Sequence, residues 1–122
     1  MKAIECFKKE DYESIISACT EEINLTEAEA LYKNEALVLR ATFYQLTGEH
    51  SLAMSDLDVV INNEEANAKL RVNALIKRAS IYMQLEDPAN CINDFNRAVE
   101  IDPDNSDIYH HRGQVSLTEL HF

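Results

Sequence analysis

Residues 73–103 read NALIKRASIYMQLEDPANCINDFNRAVEIDP, and their spacing decides the fold. Leu75, Ala79 and Tyr82 fall four and then three residues apart, which sets them on one face of a helix. Past a break at Glu86, Asp87 and Pro88, the residues Cys91, Phe95 and Ala98 repeat the same spacing. The stretch predicts two amphipathic helices folded back on one another across a short turn. Ala79 is small enough to let the second helix come close, and Tyr82 and Phe95 fill the space on either side.

The unit recurs. Leu37, Ala41, Tyr44, Ala53, Leu57 and Val60 keep the same offsets at a shift of 38 residues upstream, and Tyr109 and Gly113 match Leu75 and Ala79 at a shift of 34 downstream. A helix pair returning about every 34 residues with small and aromatic landmarks is the tetratricopeptide pattern. The four additional residues of the first interval fall in 61–70, as a longer connection or an extended helix. Beyond Gly113 the pattern fades, because Ser116 stands where earlier units carry tyrosine. The expected fold is all-α, a helix-turn-helix solenoid of about six or seven antiparallel helices. Its units are an imperfect first one over 1–32, then 33–65 and 66–103, with 104–122 supplying the first helix of a truncated fourth. Such arrays need three or more units, so the chain reads as a fragment of a longer protein.

Taken in order, residues 2–9 read as the later half of a helix, with Ile4 and Phe7 as apolar contacts and Lys8 and Lys9 near its C-terminal dipole. A second helix begins at Asp11 and Tyr12, with Tyr12, Ile15, Ile16, Cys19 and Ile23 as its stripe. Thr26 and Glu29 form either a capping box opening a long helix or part of a loop reaching about Tyr32. Further helices are expected over 34–46, 51–61, 66–85, 88–101 and 106–120. Asp87 and Pro88 make a well-formed helix start, and Asp102, Pro103, Asp104 and Asn105 close one unit and cap the next helix.

The formal net charge is −11, from 22 acidic and 11 basic side chains. Nucleic acid wants a basic footprint, so this balance argues against it and suits a positively charged partner; it also serves plain solubility. Cys6, Cys19 and Cys91 are odd in number and widely spaced, which argues against a disulfide framework. Cys91 occupies a helix-packing position suited to a buried thiol. No signal peptide and no long apolar run are present, so nothing in the sequence reads as spanning a membrane.

Residues one turn from the packed stripe of each first helix face the inner, concave side of such an array. They are Glu35, Val38, Thr42 and Gln45, then Asn73, Ile76, Ser80 and Met83, then Asp107, His110 and Gln114. With apolar members among polar ones, they make a candidate groove for a peptide or helix. The alternative is that a helix of the parent protein fills the groove from within. Arg40, Arg78 and Arg112 recur directly before the small residue of each first helix, and Asp56 and Asp94 stand 16 residues after the first two. These arginines either grip acidic ligands or pair with the aspartate of their own unit. Arg40 with Asp56 and Arg78 with Asp94 are read as such structural ion pairs.

Catalytic, cofactor and metal sites are not expected. Neighbouring His110 and His111 point apart on a helix, and no cysteine or carboxylate completes a tetrahedral set. Cys19 and Cys91 lack a base and an oxyanion site, Glu21 and Glu22 lack an acid–base counterpart, and the chain has only Gly48 and Gly113 from which to build a phosphate loop.

Several segments are more specific than the repeat requires: 4–13 (IECFKKEDYE), 39–44 (LRATFY), 73–78 (NALIKR) and 107–114 (DIYHHRGQ). In these, and over nearly all of residues 2–114, the chain resembles the large tetratricopeptide preprotein receptors of the mitochondrial outer-membrane translocase, animal type. Residues 115–122 (VSLTELHF) fit poorly. The resemblance implies a non-enzymatic receptor, anchored by a segment outside this chain and exposing its repeats at the cytosolic face of the mitochondrial outer membrane. Its implied partners are precursor proteins with internal signals, of the carrier type, and other translocase subunits. Family members also clamp the acidic tails of heat-shock chaperones with lysine and asparagine on the concave face. Here Val38, Thr42, Ile76, Ser80, His110 and Gln114 hold those positions, so chaperone binding belongs to repeats outside this segment. Rival readings are a scaffold that never touches precursor and a homo-oligomer formed through exposed end helices.

Overall fold

The computed structural model describes residues 11–24 and 30–119, with side chains over 11–23 and 32–113. Six helices follow one another: α1 (Tyr12–Asn24), α2 (Ala30–Leu46), α3 (His50–Ile61), α4 (Ala68–Gln84), α5 (Pro88–Ile101) and α6 (Ser106–Glu119). No strand occurs among the described residues. The helix expected over 2–9 and the capping box at Thr26 and Glu29 lie outside them.

Each helix packs on its neighbour in sequence, and the first helices also pack on each other, α2 on α4 and α4 on α6. Among the described residues no comparable contact joins α1 to α3 or α3 to α5. That asymmetry brings α2, α4 and α6 closer together than the outer layer and curls the array toward them. The fold is an all-α tetratricopeptide solenoid.

The landmarks sit in one continuous core. Ala41, Ala53, Leu57, Val60, Leu75, Ala79, Cys91, Phe95 and Ala98 are all buried, and Tyr44 and Tyr82 are half-buried against them. Each large apolar side chain so buried contributes roughly 1.5–3 kcal/mol of transfer free energy. A smaller cluster joins Ile15 and Cys19 of α1 to Leu39 and Phe43 of α2, with the Tyr12 and Phe43 rings tilted against each other at 5.2 Å.

The turns repeat as closely as the helices. After α2, Glu49 N–H donates to the Tyr44 carbonyl at 2.8 Å and Gly48 N–H to the Gln45 carbonyl at 3.2 Å. After α4, Asp87 and Glu86 donate to Tyr82 and Met83 at 2.8 and 3.1 Å. Both are Schellman ends, which require a left-handed residue, and Gly48 (φ 81°) and Glu86 (φ 59°) supply it. Asp87 then caps α5 by accepting from Asn90 N–H, with Pro88 in the first turn.

Two expectations, the start of α2 and the burial of Tyr109, are corrected, and the open alternative at 61–70 is settled. Helix α2 begins at Ala30 rather than at 34, so no loop reaches Tyr32; the residues 30–33 are helix formers continuous with the stripe. Helix α4 begins at Ala68, capped by the Asn67 side chain accepting from Lys69 N–H at 2.8 Å. It starts seven residues before Leu75, whereas α6 starts three before Tyr109, so the four additional residues lengthen α4 by a turn. Tyr109, matched to the buried Leu75, is instead 48% exposed, while Ile108 is fully buried. Leu75 is covered by α5, the second helix of its own unit, and the described residues contain no such helix beyond α6. Tyr109 turns its hydroxyl to the Pro103 carbonyl at 2.9 Å.

Candidate functional site

Two arginines tie the layers together. Arg40 on α2 grips Asp56 on α3 through Nε to Oδ2 at 2.7 Å and Nη2 to Oδ1 at 2.6 Å. Its Nη1 donates to Thr20 Oγ1 of α1 at 3.0 Å. Arg78 on α4 holds Asp94 on α5 in the same two-pronged way, at 2.9 and 2.7 Å, and reaches back to Asp58 of α3 at 2.7 Å. Each guanidinium lies over the tyrosine one turn later, Arg40 at 5.5 Å from the Tyr44 centroid and Arg78 at 5.9 Å from Tyr82. Asp56 and Asp94 are buried, and their hydrogen bonds hold both arginines above the usual guanidinium pKa. So engaged, Arg40 and Arg78 have little left for a ligand. Arg112, at the same position of α6, is exposed.

The candidate groove residues separate into three environments. Val38 is only 5% exposed and belongs to the core, which corrects its expected place on an open surface. Its side chain belongs to the continuous buried core rather than to the open face. Ile76 and Met83 are half-buried against the same core. Thr42 donates its hydroxyl hydrogen to the Val38 carbonyl at 3.0 Å, a bond within its own helix.

Toward the C-terminal ends of α2 and α4 the face is polar and closed. Gln45 Nε2 donates to Gln84 Oε1 at 2.9 Å and to exposed Ser80 Oγ at 3.4 Å. Toward the N-terminal ends the face opens into a cavity of about 480 Å³. Here Glu35 of α2, Asn73 and Ile76 of α4 and Asp107 of α6 come together. Joining them are Lys69, Leu70, Val72 and His111, which the sequence reading did not place in the groove, and the capping residues Asn67 and Asn105. Lys69 and Leu70 fall within the helix expected over 66–85, but the groove was read only from Asn73 onward; the residues three and four before Asn73 along the same face are Leu70 and Lys69. His110 is exposed and stands edge-on to His111 at 5.7 Å without lining the cavity. The Gln114 side chain lies outside the described residues.

Two further titratable groups are perturbed by burial. The Cys19 thiol is pushed up to about 11 by desolvation, with Glu22 adding to the shift, Arg40 opposing it and Asp56 adding again. Burial lowers the Lys77 ammonium below its ordinary value. A protonated, fully buried Cys19 is a poor nucleophile. Among the described residues no three His, Cys, Asp or Glu side chains converge as metal ligands would, and no helix is long and apolar enough to cross a membrane.

Paired helices and their shared landmarks define a tetratricopeptide solenoid, and the tetratricopeptide repeat model matches residues 72–105. Over 117 residues, 96% of its length, the chain is 53% identical to the mitochondrial import receptor subunit TOM70 of Homo sapiens and 52% identical to that of Mus musculus. It is 31% identical over 70 residues, 57% of its length and 12% of the relative's, to tetratricopeptide repeat protein 34 of Mus musculus. The chain spans about one fifth of the length of the import receptors (19%).

Proposed function

We propose that the chain is a segment of a mitochondrial protein-import receptor and that it holds precursor proteins by reversible binding on the inner face of α2, α4 and α6. The observation that carries this reading is the 53% identity to an import receptor along 96% of the chain. The open cavity beside half-buried Ile76 gives the face a place for an apolar side chain of an extended or helical segment. On this reading the receptor works without catalysis at the cytosolic face of the outer membrane, anchored by a segment outside this chain. Precursors of the carrier type and other translocase subunits are its partners, and heat-shock chaperones engage repeats elsewhere.

Burial of Val38 and the Gln45–Gln84 bond favour a second reading, in which the segment supports a binding surface carried by other repeats. Titration of the purified chain with a labelled carrier-precursor peptide separates the two. Binding should saturate and be lost in an Ile76→Glu variant of matched helicity. Absent binding, or equal binding by both proteins, makes the segment a scaffold. Mass measured against concentration on the same samples tests self-association through the end helices.

A further inference from the structure

We infer that the cavity at the N-terminal ends of the inner helices is a subsite for one basic side chain, lysine or arginine, of a bound peptide; this deepens the binding reading above and rests on it. Three features of the cavity select that chemistry. Its floor is apolar, with Leu70 and Ile76 both half-buried, and suits the methylene stem of a long cationic side chain. Its carboxylates, Glu35 and Asp107, come from α2 and α6 on either side of α4 and are both exposed, so a cation between them is attracted from two walls. The net charge of −11 adds a long-range field of the same sign.

The helix ends beside the cavity do not reverse this preference. Helix N-termini attract anions through uncapped N–H groups, but here the Asn67 side chain accepts from Lys69 N–H at 2.8 Å and the Asn105 side chain from Asp107 N–H at 3.0 Å. Asp107 also stands in the first turn of α6, where its charge offsets the dipole. Lys69 is the one lysine or arginine among the described residues of the lining, and it competes with an incoming cation.

The test uses the whole chain and three peptides of one apolar sequence that differ at a single position, arginine, glutamine or glutamate. The arginine peptide should bind about three- to tenfold more tightly than the glutamine peptide, and the glutamate peptide more weakly than either. The combined change Glu35→Gln and Asp107→Asn, at exposed positions, should abolish the arginine advantage, so that the arginine and glutamine peptides bind the variant equally. Lys69→Ala should enlarge the advantage. Equal affinity for all three peptides, or preference for glutamate, overturns the subsite and leaves the binding reading intact. Binding of none of them overturns both.

Discussion

Arg78 and Asp94 are joined by two parallel hydrogen bonds of 2.9 and 2.7 Å, and the same guanidinium reaches Asp58 of the preceding unit at 2.7 Å. One side chain therefore links three helices, α3, α4 and α5. The two acceptors are unequal, since the Asp94 side chain is 5% exposed and that of Asp58 is 49% exposed. Arg40 makes the corresponding tie one unit earlier, with Thr20 in place of Asp58.

This inequality fixes what truncation should cost. Arg78→Ala leaves a buried carboxylate without its countercharge and should destabilise the chain by about 3 kcal/mol. Asp58→Ala removes only the exposed arm and should cost under about 1 kcal/mol. Urea unfolding followed by circular dichroism measures both. Similar losses for the two variants would show that burial does not govern the tie.

Arg78→Lys keeps the charge but loses the fork, so Asp94 retains at most one of its two bonds. A loss of about 1–2 kcal/mol is expected, between the other two variants. The same unfolding measurement orders the three.

Gly48 and Glu86 occupy equivalent turn positions and both have positive φ. No atom lies within 4 Å of a Cβ built on Gly48, so any cost of a side chain there is backbone strain rather than crowding. Gly48→Ala should lose about 1 kcal/mol, and Glu86→Gly should gain up to about 1 kcal/mol. Opposite shifts in thermal midpoint are the expected result, and shifts of the same sign would refute it.

Ala79 and Phe95 face one another in role, the small residue that admits α5 and the large one that fills the gap. Both are buried in the same core. Phe95→Ala should cost about 3–5 kcal/mol through its cavity, and Ala79→Leu about 1–3 kcal/mol through overpacking. A nearly neutral Ala79→Leu would mean that the α4–α5 approach is looser than the burial indicates.

Cys19 gives the chain an alkaline weakness. Its thiol titrates at about 11 when folded, above the ordinary thiol value, so the folded state holds a proton that the unfolded state has already released. The associated stability is present below about pH 9 and is lost as pH rises toward 11. The stability difference between the parent protein and Cys19→Ala should therefore shrink between about pH 9 and 11. A constant difference would show that burial does not hold the proton.

Much of the fold was legible because helical periodicity is a local property. The four-and-three spacing identifies residues that share a face, and Asp87 with Pro88 marks a helix start without reference to anything distant. The 16-residue offset between each arginine and its aspartate was equally visible. The contacts to Thr20 and Asp58 share an offset too, 20 residues before each arginine, but the two acceptors differ in residue type, so no repeated pair marked them.

The candidate site was less legible for a related reason. Spacing gave Val38 and Glu35 the same face of α2, yet Val38 is buried in the core while Glu35 stands at an open cavity. Tyr109 shares the repeat position of buried Leu75 and remains half exposed. Lys69 and Leu70 joined the site only because α4 begins a turn before the repeat pattern does.

The sequence by itself determined the helices, their pairing and the repeat, since these follow from which side chains recur on one face and which residues end a helix. The tertiary structure decided which parts of that face stay open. Burial depends on what covers a residue, and the covering helix is distant in the chain. Val38 is buried in the core and Gln45 of α2 bonds to Gln84 of α4, while at the N-terminal ends of these helices Glu35, Ile76 and Asp107 line a space that a ligand can enter.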